Sequence, residues 1–324
     1  MRNYQQTSFH SPAKIVETQC VAPAKGEVCI QVAAASVNFS DLLLAKGTYQ
    51  DTPSLPFTPG LEFSGRVVAC GEGVNADLKN MRVTAYAGAG GFAEFACAPA
   101  ERCLILPDAL EYDVAAGLQV AWGTSHIALS QRAKLKEGET LLVLGAGGGV
   151  GLSAVTMGKL LGARVVAVAR GAEKLKAAQL AGADHLIDSD SMDVRDEMIA
   201  LGRADVVYDP VGGALFNAAF RSCNPGARIL IIGFASGEVP EIAANHALVK
   251  NIDLIGINWS AYWAFAPEVV LASGRMLLNW AADGKIDANI HHRFPLAEIE
   301  DALDLLRSRK SRGKIIIYPT SEPV

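Results

Sequence analysis

The chain lacks the cysteine pairs that mark a metal ribbon. Its six cysteines, Cys20, Cys29, Cys70, Cys97, Cys103 and Cys223, are scattered and form no Cys-x-x-Cys unit. That spacing gives no support to a zinc ribbon and fits reduced, mainly structural thiols, so a cytoplasmic protein is expected. Histidines show no metal-ligand spacing either: His126, His185, His246 and the pair His291-His292 read as surface or structural residues. Excess positive charge is also missing, and a formal net charge of −5 argues against a nucleic-acid partner. The opening residues, Met1-Arg2-Asn3-Tyr4-Gln5-Gln6, hold no apolar core, so no signal peptide is expected. Internal repeats and low-complexity segments are absent. One stretch, Leu141 to Gly158, runs 18 residues without a charge, which reaches the lower bound for a membrane span. It contains six glycines and changes from strand-like to helix-like spacing, so a folded nucleotide-binding segment is the better reading and no membrane partner is expected.

What is present is a packed α/β protein. The 324 residues allow two domains, and 50% hydrophobic with 19% charged residues exclude disorder. The informative segment is Leu141 to Arg170. Leu141-Leu142-Val143-Leu144 reads as a strand. Gly145-Ala146-Gly147-Gly148-Gly149-Val150-Gly151 reads as a tight turn, and Val150, Ala154, Met157 and Leu161 follow at helical spacing. A second strand, Arg164-Val165-Val166-Ala167-Val168-Ala169, completes a dinucleotide-binding βαβ unit in its required order. Glycines let the backbone approach a pyrophosphate, whose charge then sits on the N–H groups of a helix N-terminus.

Around this unit the chain alternates. Strands are expected at 141–145, 164–169, 184–188, 204–208, 228–233 and 252–257, with helices near 150–162, 172–181, 192–201 and 212–222. Six strands with crossover helices define a Rossmann-type, doubly wound parallel sheet. The first ~120 residues instead offer short β-rich runs separated by turn signals, such as Val28–Val32 and Gly65–Ala69. After the alternating region come a helix near 266–283, a shorter one near 296–308 and a strand at 314–318, a tail expected to rejoin the N-terminal domain.

Several ordered motifs carry a family resemblance: Asn38-Phe39-Ser40-Asp41, Lys46-Gly47-Thr48-Tyr49, Pro56 through Gly65, Gly90-Gly91-Phe92-Ala93-Glu94-Phe95, the glycine turn, Asp209-Pro210-Val211-Gly212-Gly213 and Arg312-Gly313-Lys314-Ile315-Ile316. Across essentially its whole length the chain resembles the zinc-free, zeta-crystallin-like quinone oxidoreductases of the medium-chain dehydrogenase/reductase superfamily. The resemblance implies a GroES-like β-barrel catalytic domain at residues 1–123, a Rossmann NADP-binding domain at 124–263, and a return to the catalytic domain at 264–324. Zinc-dependent members hold their metal at three positions that are Asn38, Leu61 and Val120 in this chain, and their four-cysteine lobe is missing. No metal is therefore expected, and without a Lewis acid simple alcohol oxidation is disfavoured.

For the cofactor, Arg170 stands where NAD-binding proteins place an acidic residue, and Lys174 follows. These cations favour the 2′-phosphate of NADPH; ordinary solvated charges at the start of a helix are the other reading. The other expected cofactor residues are Gly147, Gly148, Gly149, Val150 and Gly151 in the turn, with Thr124 and Gly233-Phe234-Ala235 toward the nicotinamide half. Ser189 stands where many relatives carry a tyrosine or histidine near the adenosine. Ala146 replaces the first glycine of the three-glycine fingerprint, as is common in quinone oxidoreductases. For catalysis, Asn38 and Tyr49 match polar positions of the family's cleft and are candidates for donating a hydrogen bond to an oxygen gaining charge; loop fixing by Asn38 and a purely packing role for Tyr49 stand beside that reading. Asp41 reads as the anchor of a helix N-terminus. Trp259, Tyr262, Trp263 and Phe265 are candidates for lining the acceptor site or for packing between domains. The expected activity is NADPH-dependent reduction of a quinone. An enone, 2-alkenal or enoyl-thioester reductase is the alternative, and a non-catalytic NADPH-binding structural or sensor protein is the reading from another class. Apolar late strands, Arg228–Gly233 and Ile252–Ile257, suggest a homodimer paired through a sheet edge.

Overall fold

A computed structural model describes residues 1–320. The chain divides into two compact units, one formed by Met1–Val120 together with the chain from Ala266 onward, the other by Ala121–Phe265.

The first unit opens with a hairpin-like pair, β1 (Arg2–Gln5) and β2 (Lys14–Glu17). Then come β3 (Glu27–Val37), α1 (Phe39–Ala45), β4 (Glu62–Cys70), β5 (Arg82–Tyr86), β6 (Phe95–Pro99), β7 (Cys103–Ile105) and α2 (Tyr112–Ala116). Long β3 is the centre, pairing antiparallel with both β4 and β6. Val28, Ile30 and Val32 on β3 and Phe63 and Val67 on β4 are fully buried, and they form one core with Phe92 and Val83. Helix α3 (Gln119–His126) leads into the second unit and continues as a π-helical turn at Ile127–Arg132.

The second unit alternates β8 (Thr140–Leu144), α4 (Gly149–Leu160), β9 (Arg164–Ala169), α5 (Ala172–Leu180), β10 (His185–Asp188), α6 (Val194–Ala200), β11 (Ala204–Asp209), α7 (Gly213–Arg221), β12 (Cys223–Ile231), α8 (Ala244–Lys250), β13 (Asp253–Gly256) and the short α9 (Tyr262–Phe265). All six strands are parallel, in the order β10-β9-β8-β11-β12-β13. Residues of β8 are buried throughout, as expected of a central strand covered on both faces. The strand order reverses between β8 and β11, where an open α/β sheet presents its ligand crevice. Helix α4 lies close on this sheet: a Cβ at Gly158 would fall 2.5 Å from Leu141 Cδ2.

The chain then re-enters the first unit through α10 (Pro267–Ala282), β14 (Ile290–Pro295), α11 (Ile299–Arg307) and β15 (Lys314–Tyr318). There β15 lies between β14 and β3, antiparallel to β3. Helix α8 and the helix across 119–132 were not expected from periodicity. The first is short and its residues are largely exposed; the second is buried on several faces, which erases an amphipathic stripe. Strand β12 begins earlier and ends earlier than its expected span of 228–233; just past its end, Ile232 N and Gly233 N both donate to Asp209 O.

Gly151 is the tightest point between α4 and the turn. A Cβ there would fall 2.3 Å from Gly145 O and 2.7 Å from Ala146 Cα, both backbone atoms that cannot swing aside. Gly151→Ala is expected to cost about 1–3 kcal/mol, read as a lower urea midpoint with an unchanged slope; an unchanged midpoint would show that the turn yields.

Candidate functional site

The expected nucleotide residues of the second unit gather at the C-terminal ends of its strands. After β8 the chain turns at Gly145, whose φ is +60° and whose carbonyl accepts from Gly148 N at 3.1 Å. Ala146 is buried and pinned to β9 by a 2.9 Å bond from its N–H to Val168 O. Gly148 is the N-cap of α4, and Gly149, Val150 and Gly151 form its first turn, whose N–H groups have no intrahelical acceptor. These amides and the helix dipole suit an anion.

Lys174, in the first turn of α5, lies against this turn. A Cβ at Gly147 would fall 2.5 Å from Lys174 Cβ and 2.8 Å from its Cγ. Any larger residue at 147 would displace that lysine stem. Arg170 is exposed at the end of β9. Gly171 N donates to Asp188 Oδ1 (3.2 Å), and Ser189 N donates to Ala169 O (3.1 Å), so the loops after β9 and β10 are tied together. Arg170, Lys174 and Ser189 thus share one corner. Asp188 is committed to backbone N–H groups of Gly171 and Asp190.

On the other side of the switch point, buried Asp209 ends β11. It accepts from Val211 N (2.8 Å) and Gly212 N (2.9 Å). Burial raises its pKa, with those two bonds pulling the other way. Ala235 N donates to Pro210 O (3.0 Å) and Gly233 N to Asp209 O (3.3 Å), which fixes Gly233-Phe234-Ala235 beside this loop. Val211 also reaches the glycine turn: a Cβ at Gly145 would meet its Cγ2 at 2.8 Å. Thr124 is buried on α3, one residue before Ser125. Ser125 Oγ lies 2.8 Å from Ser153 Oγ, 2.9 Å from Tyr208 Oη and 3.2 Å from Val150 O, so α3 is clamped onto the start of α4. Trp259 packs on the backbone of Gly123, where a Cβ would fall 2.5 Å from its Nε1. Trp259, Tyr262 and Trp263 are buried within this unit, whereas Phe265 is 65% exposed.

Asn38 and Tyr49 both belong to the first unit, at opposite ends of α1. Asn38 is the N-cap of α1, while Tyr49 lies in a bend beyond that helix's C-cap, Lys46. Seven residues of helix separate them by about 10 Å along the axis. The Asn38 amide is fully engaged: Nδ2 donates to Glu62 Oε1 (3.0 Å) and Ser36 O (3.3 Å), and Oδ1 accepts from Lys314 Nζ (2.8 Å). Of the two readings of Asn38, this geometry favours the loop-fixing one, because both amide donors and the amide oxygen already have partners. Tyr49 is half-buried, and its carbonyl accepts from Thr52 Oγ1 at 2.6 Å. Asp41 anchors α1 as expected, accepting from Asn38 N (2.7 Å) and Gly60 N (3.0 Å).

Two residues of this network were not anticipated. Glu62 and Lys314 form a fully buried ion pair at 3.0 Å, and Glu62 Oε2 accepts from Val120 N at 2.8 Å. The signal was legible: a charge opening each of two apolar strands implies a partner once buried, since an unpaired buried charge is prohibitive. Asn38, Leu61 and Val120, the positions where zinc-dependent members hold their metal, all adjoin Glu62. Their donor set does not fit zinc, because it comprises a committed amide and two aliphatic side chains, beside an ammonium that already balances the carboxylate. Among the described residues no group of three or more His, Cys, Asp or Glu is placed to hold a metal ion.

Comparison with known proteins agrees with this architecture. Residues 24–108 match the alcohol dehydrogenase GroES-like domain family, and residues 149–272 match the family described as zinc-binding dehydrogenase. The chain is 35% identical to the quinone oxidoreductase-like protein 2 homolog of Nematostella vectensis over 297 residues, covering 90% of this chain and 81% of the relative. Its fold is similar to that of Escherichia coli quinone oxidoreductase complexed with NADPH (TM-score 0.90, 25% identity, 98% and 99% of the two chains). It is also similar to the quinone oxidoreductase of Thermus thermophilus, solved alone and with NADPH (TM-score 0.85, 27% identity, 98% and 100%). The chain belongs to the quinone oxidoreductase-like family of the medium-chain dehydrogenase/reductase superfamily, a family of oxidoreductases.

Two predictions follow from the buried network. Lys314→Met leaves Glu62 charged and uncompensated, at a cost of about 3–5 kcal/mol, and adding Glu62→Gln should recover part of that loss. Additive losses in a denaturation cycle would contradict the pairing. Asp41 titrates at about 7, pushed up chiefly by burial while Asn38 N, Gly60 N and Lys314 pull it down. The folded state therefore holds an extra proton between about pH 4 and 7. Stability from this group is complete below that window and is lost as pH rises through 7. Thermal melts of Asp41→Asn should show a lower Tm throughout but a flatter decline from pH 5 to 8; a slope parallel to wild type would refute the assignment.

Proposed function

We propose that the protein is an NADPH-dependent oxidoreductase that reduces a quinone or a related conjugated carbonyl without a metal. The observation that carries this reading is the contact of Lys174 with Gly147, which lays the lysine stem across the glycine turn, with Arg170 exposed at the end of β9. The absence of a Cβ at Gly147 and Gly151 lets the Lys174 stem and the start of α4 close on the turn, and the first-turn amides of α4, which lack intrahelical acceptors, fit a pyrophosphate. NADPH, when bound, supplies the hydride. Arg170 and Lys174 would hold its 2′-phosphate, with Ser189 toward the adenosine. Gly148 and the first-turn amides of Gly149, Val150 and Gly151 would take the pyrophosphate. Thr124 and the Gly233-Phe234-Ala235 loop would orient the nicotinamide half.

On the acceptor side, the Tyr49 hydroxyl is the remaining candidate to donate to the oxygen that gains charge, since the Asn38 amide is spent internally. A quinone needs little such help, because its reduced oxygen is stabilised by conjugation. A panel of benzoquinones, naphthoquinones and unsaturated ketones separates quinone from enone reduction, and NADPH binding without oxidation by any acceptor would favour a structural or sensor protein.

The reading extends to assembly as a homodimer. Strand β13 ends the sheet, with Leu254 39% exposed and no charged side chain between it and Ile257. The opposite edge, β10, carries His185 and Asp188. Apolar edges are normally covered or paired.

Arg170→Gln combined with Lys174→Met removes both charges while keeping a stem over Gly147. NADPH binding should weaken at least tenfold, about 1.4 kcal/mol or more, with NADH nearly unaffected in calorimetric titration; equal losses would mean the pair only supports structure. Sedimentation at micromolar concentration should give a species of twice the chain mass, and a monomer alone would exclude pairing through β13.

A further inference from the structure

Three of the six cysteines meet on one patch of the first unit, and the proposed reaction uses none of them. Cys29 on β3 and Cys97 on β6 are direct partners in the antiparallel ladder. Its hydrogen bonds decide what kind of pair they form. Ala100 N donates to Gly26 O at one end and Val32 N donates to Glu94 O at the other, both at 2.9 Å. Hydrogen-bonded and non-hydrogen-bonded pairs alternate along such a ladder, so Cys29 and Cys97 occupy a non-hydrogen-bonded site. There the Cα atoms lie about 4.5 Å apart and the side chains are closest, inside the roughly 4.4–6.8 Å that a disulfide spans.

The third thiol comes from the segment that covers this face. Cys20 Sγ lies 3.9 Å from Val21 O, and Cys97 Sγ lies 3.6 Å from the same oxygen. Cys29 is buried, Cys97 is half-buried and Cys20 is exposed. Cys97 also faces a surface recess that it lines with Val21, Thr58 and Phe95. A hydrogen bond from the Cys29 thiol holds the Cys97 thiol below its usual range and raises that of Cys29. One sulfur is therefore reachable and favoured as thiolate, and its partner is shielded and protonated.

We propose that Cys97 is a peroxide-reactive thiol and Cys29 its resolving partner, so that a hydroperoxide closes a disulfide between β3 and β6. The Cys97 thiolate attacks one peroxide oxygen; an S–O bond forms, the O–O bond breaks, and the other oxygen leaves as an alcohol, or as water from hydrogen peroxide, after taking a proton. The Cys29 sulfur then attacks the Cys97 sulfenic acid; the S–S bond forms, the S–O bond breaks, and water leaves with the Cys29 proton. Two thiols lose two electrons and the peroxide gains them. Cys20, beside Cys97, is the competing thiol.

The test uses the full chain treated with stoichiometric hydrogen peroxide, alkylated, digested and mapped by mass spectrometry. The expected result is a Cys29–Cys97 crosslink, a fall in titratable thiols from six to four, and reversal by dithiothreitol. Cys20→Ser should keep the crosslink, and Cys97→Ser should abolish it. Cys29→Ala should leave Cys97 as a sulfenic acid that dimedone traps. If buried Cys29 tolerates no substitution, the wild-type map and Cys97→Ser decide the matter. A crosslink through Cys20, or oxidation confined to Cys20 with no crosslink, would overturn the assignment.

Discussion

The second unit is organised around the contact of a lysine stem with a bare glycine backbone. Gly147 has no Cβ, and Lys174 fills the space one would take, at 2.5 Å from its ideal position. That single absence lets the first turn of α5 close on the turn after β8. Gly151 does the same on the helix side, where α4 rests on the backbone of Gly145 and Ala146. Close approach on both sides leaves the first-turn amides of α4, where the helix dipole favours an anion, at this end of the sheet.

The first unit depends on a different device. The Glu62–Lys314 pair links β4 to β15, and Glu62 also holds Asn38 and the N–H of Val120. Four segments distant in sequence thus converge on one carboxylate. A buried pair of this kind is a weak source of stability but a demanding one, because each partner is costly to strand. Residues at the zinc positions of related dehydrogenases have become scaffolding for this carboxylate.

Much of this was legible in the residues. The βαβ unit of Leu141–Arg170 announced itself because strand period, glycine turn and helical period follow in order within thirty residues, and all six parallel strands followed from apolar runs flanked by helices. The positions we propose for the nucleotide were legible for the same reason: they lie at strand ends, which sequence locates directly. The role of Asn38 was not, since a side chain's partners depend on β4 and β15 lying beside it, 24 and 276 residues away. Helix α3 escaped because burial on several faces removes periodicity, and α8 because seven largely exposed residues carry too little of it. The Cys29–Cys97 pairing needed strand register, which scattered cysteines cannot reveal.

We propose that the corner formed by Arg170 and Lys174 selects a 2′-phosphate. The most direct measurement is the affinity of the unaltered protein for 2′,5′-ADP and for 5′-AMP as ionic strength rises, which isolates the phosphate from the rest of the cofactor. Binding of 2′,5′-ADP at least about tenfold tighter at low salt, an advantage that shrinks as salt screens the exposed charge, is the predicted result. Equal affinities at every ionic strength would contradict the account.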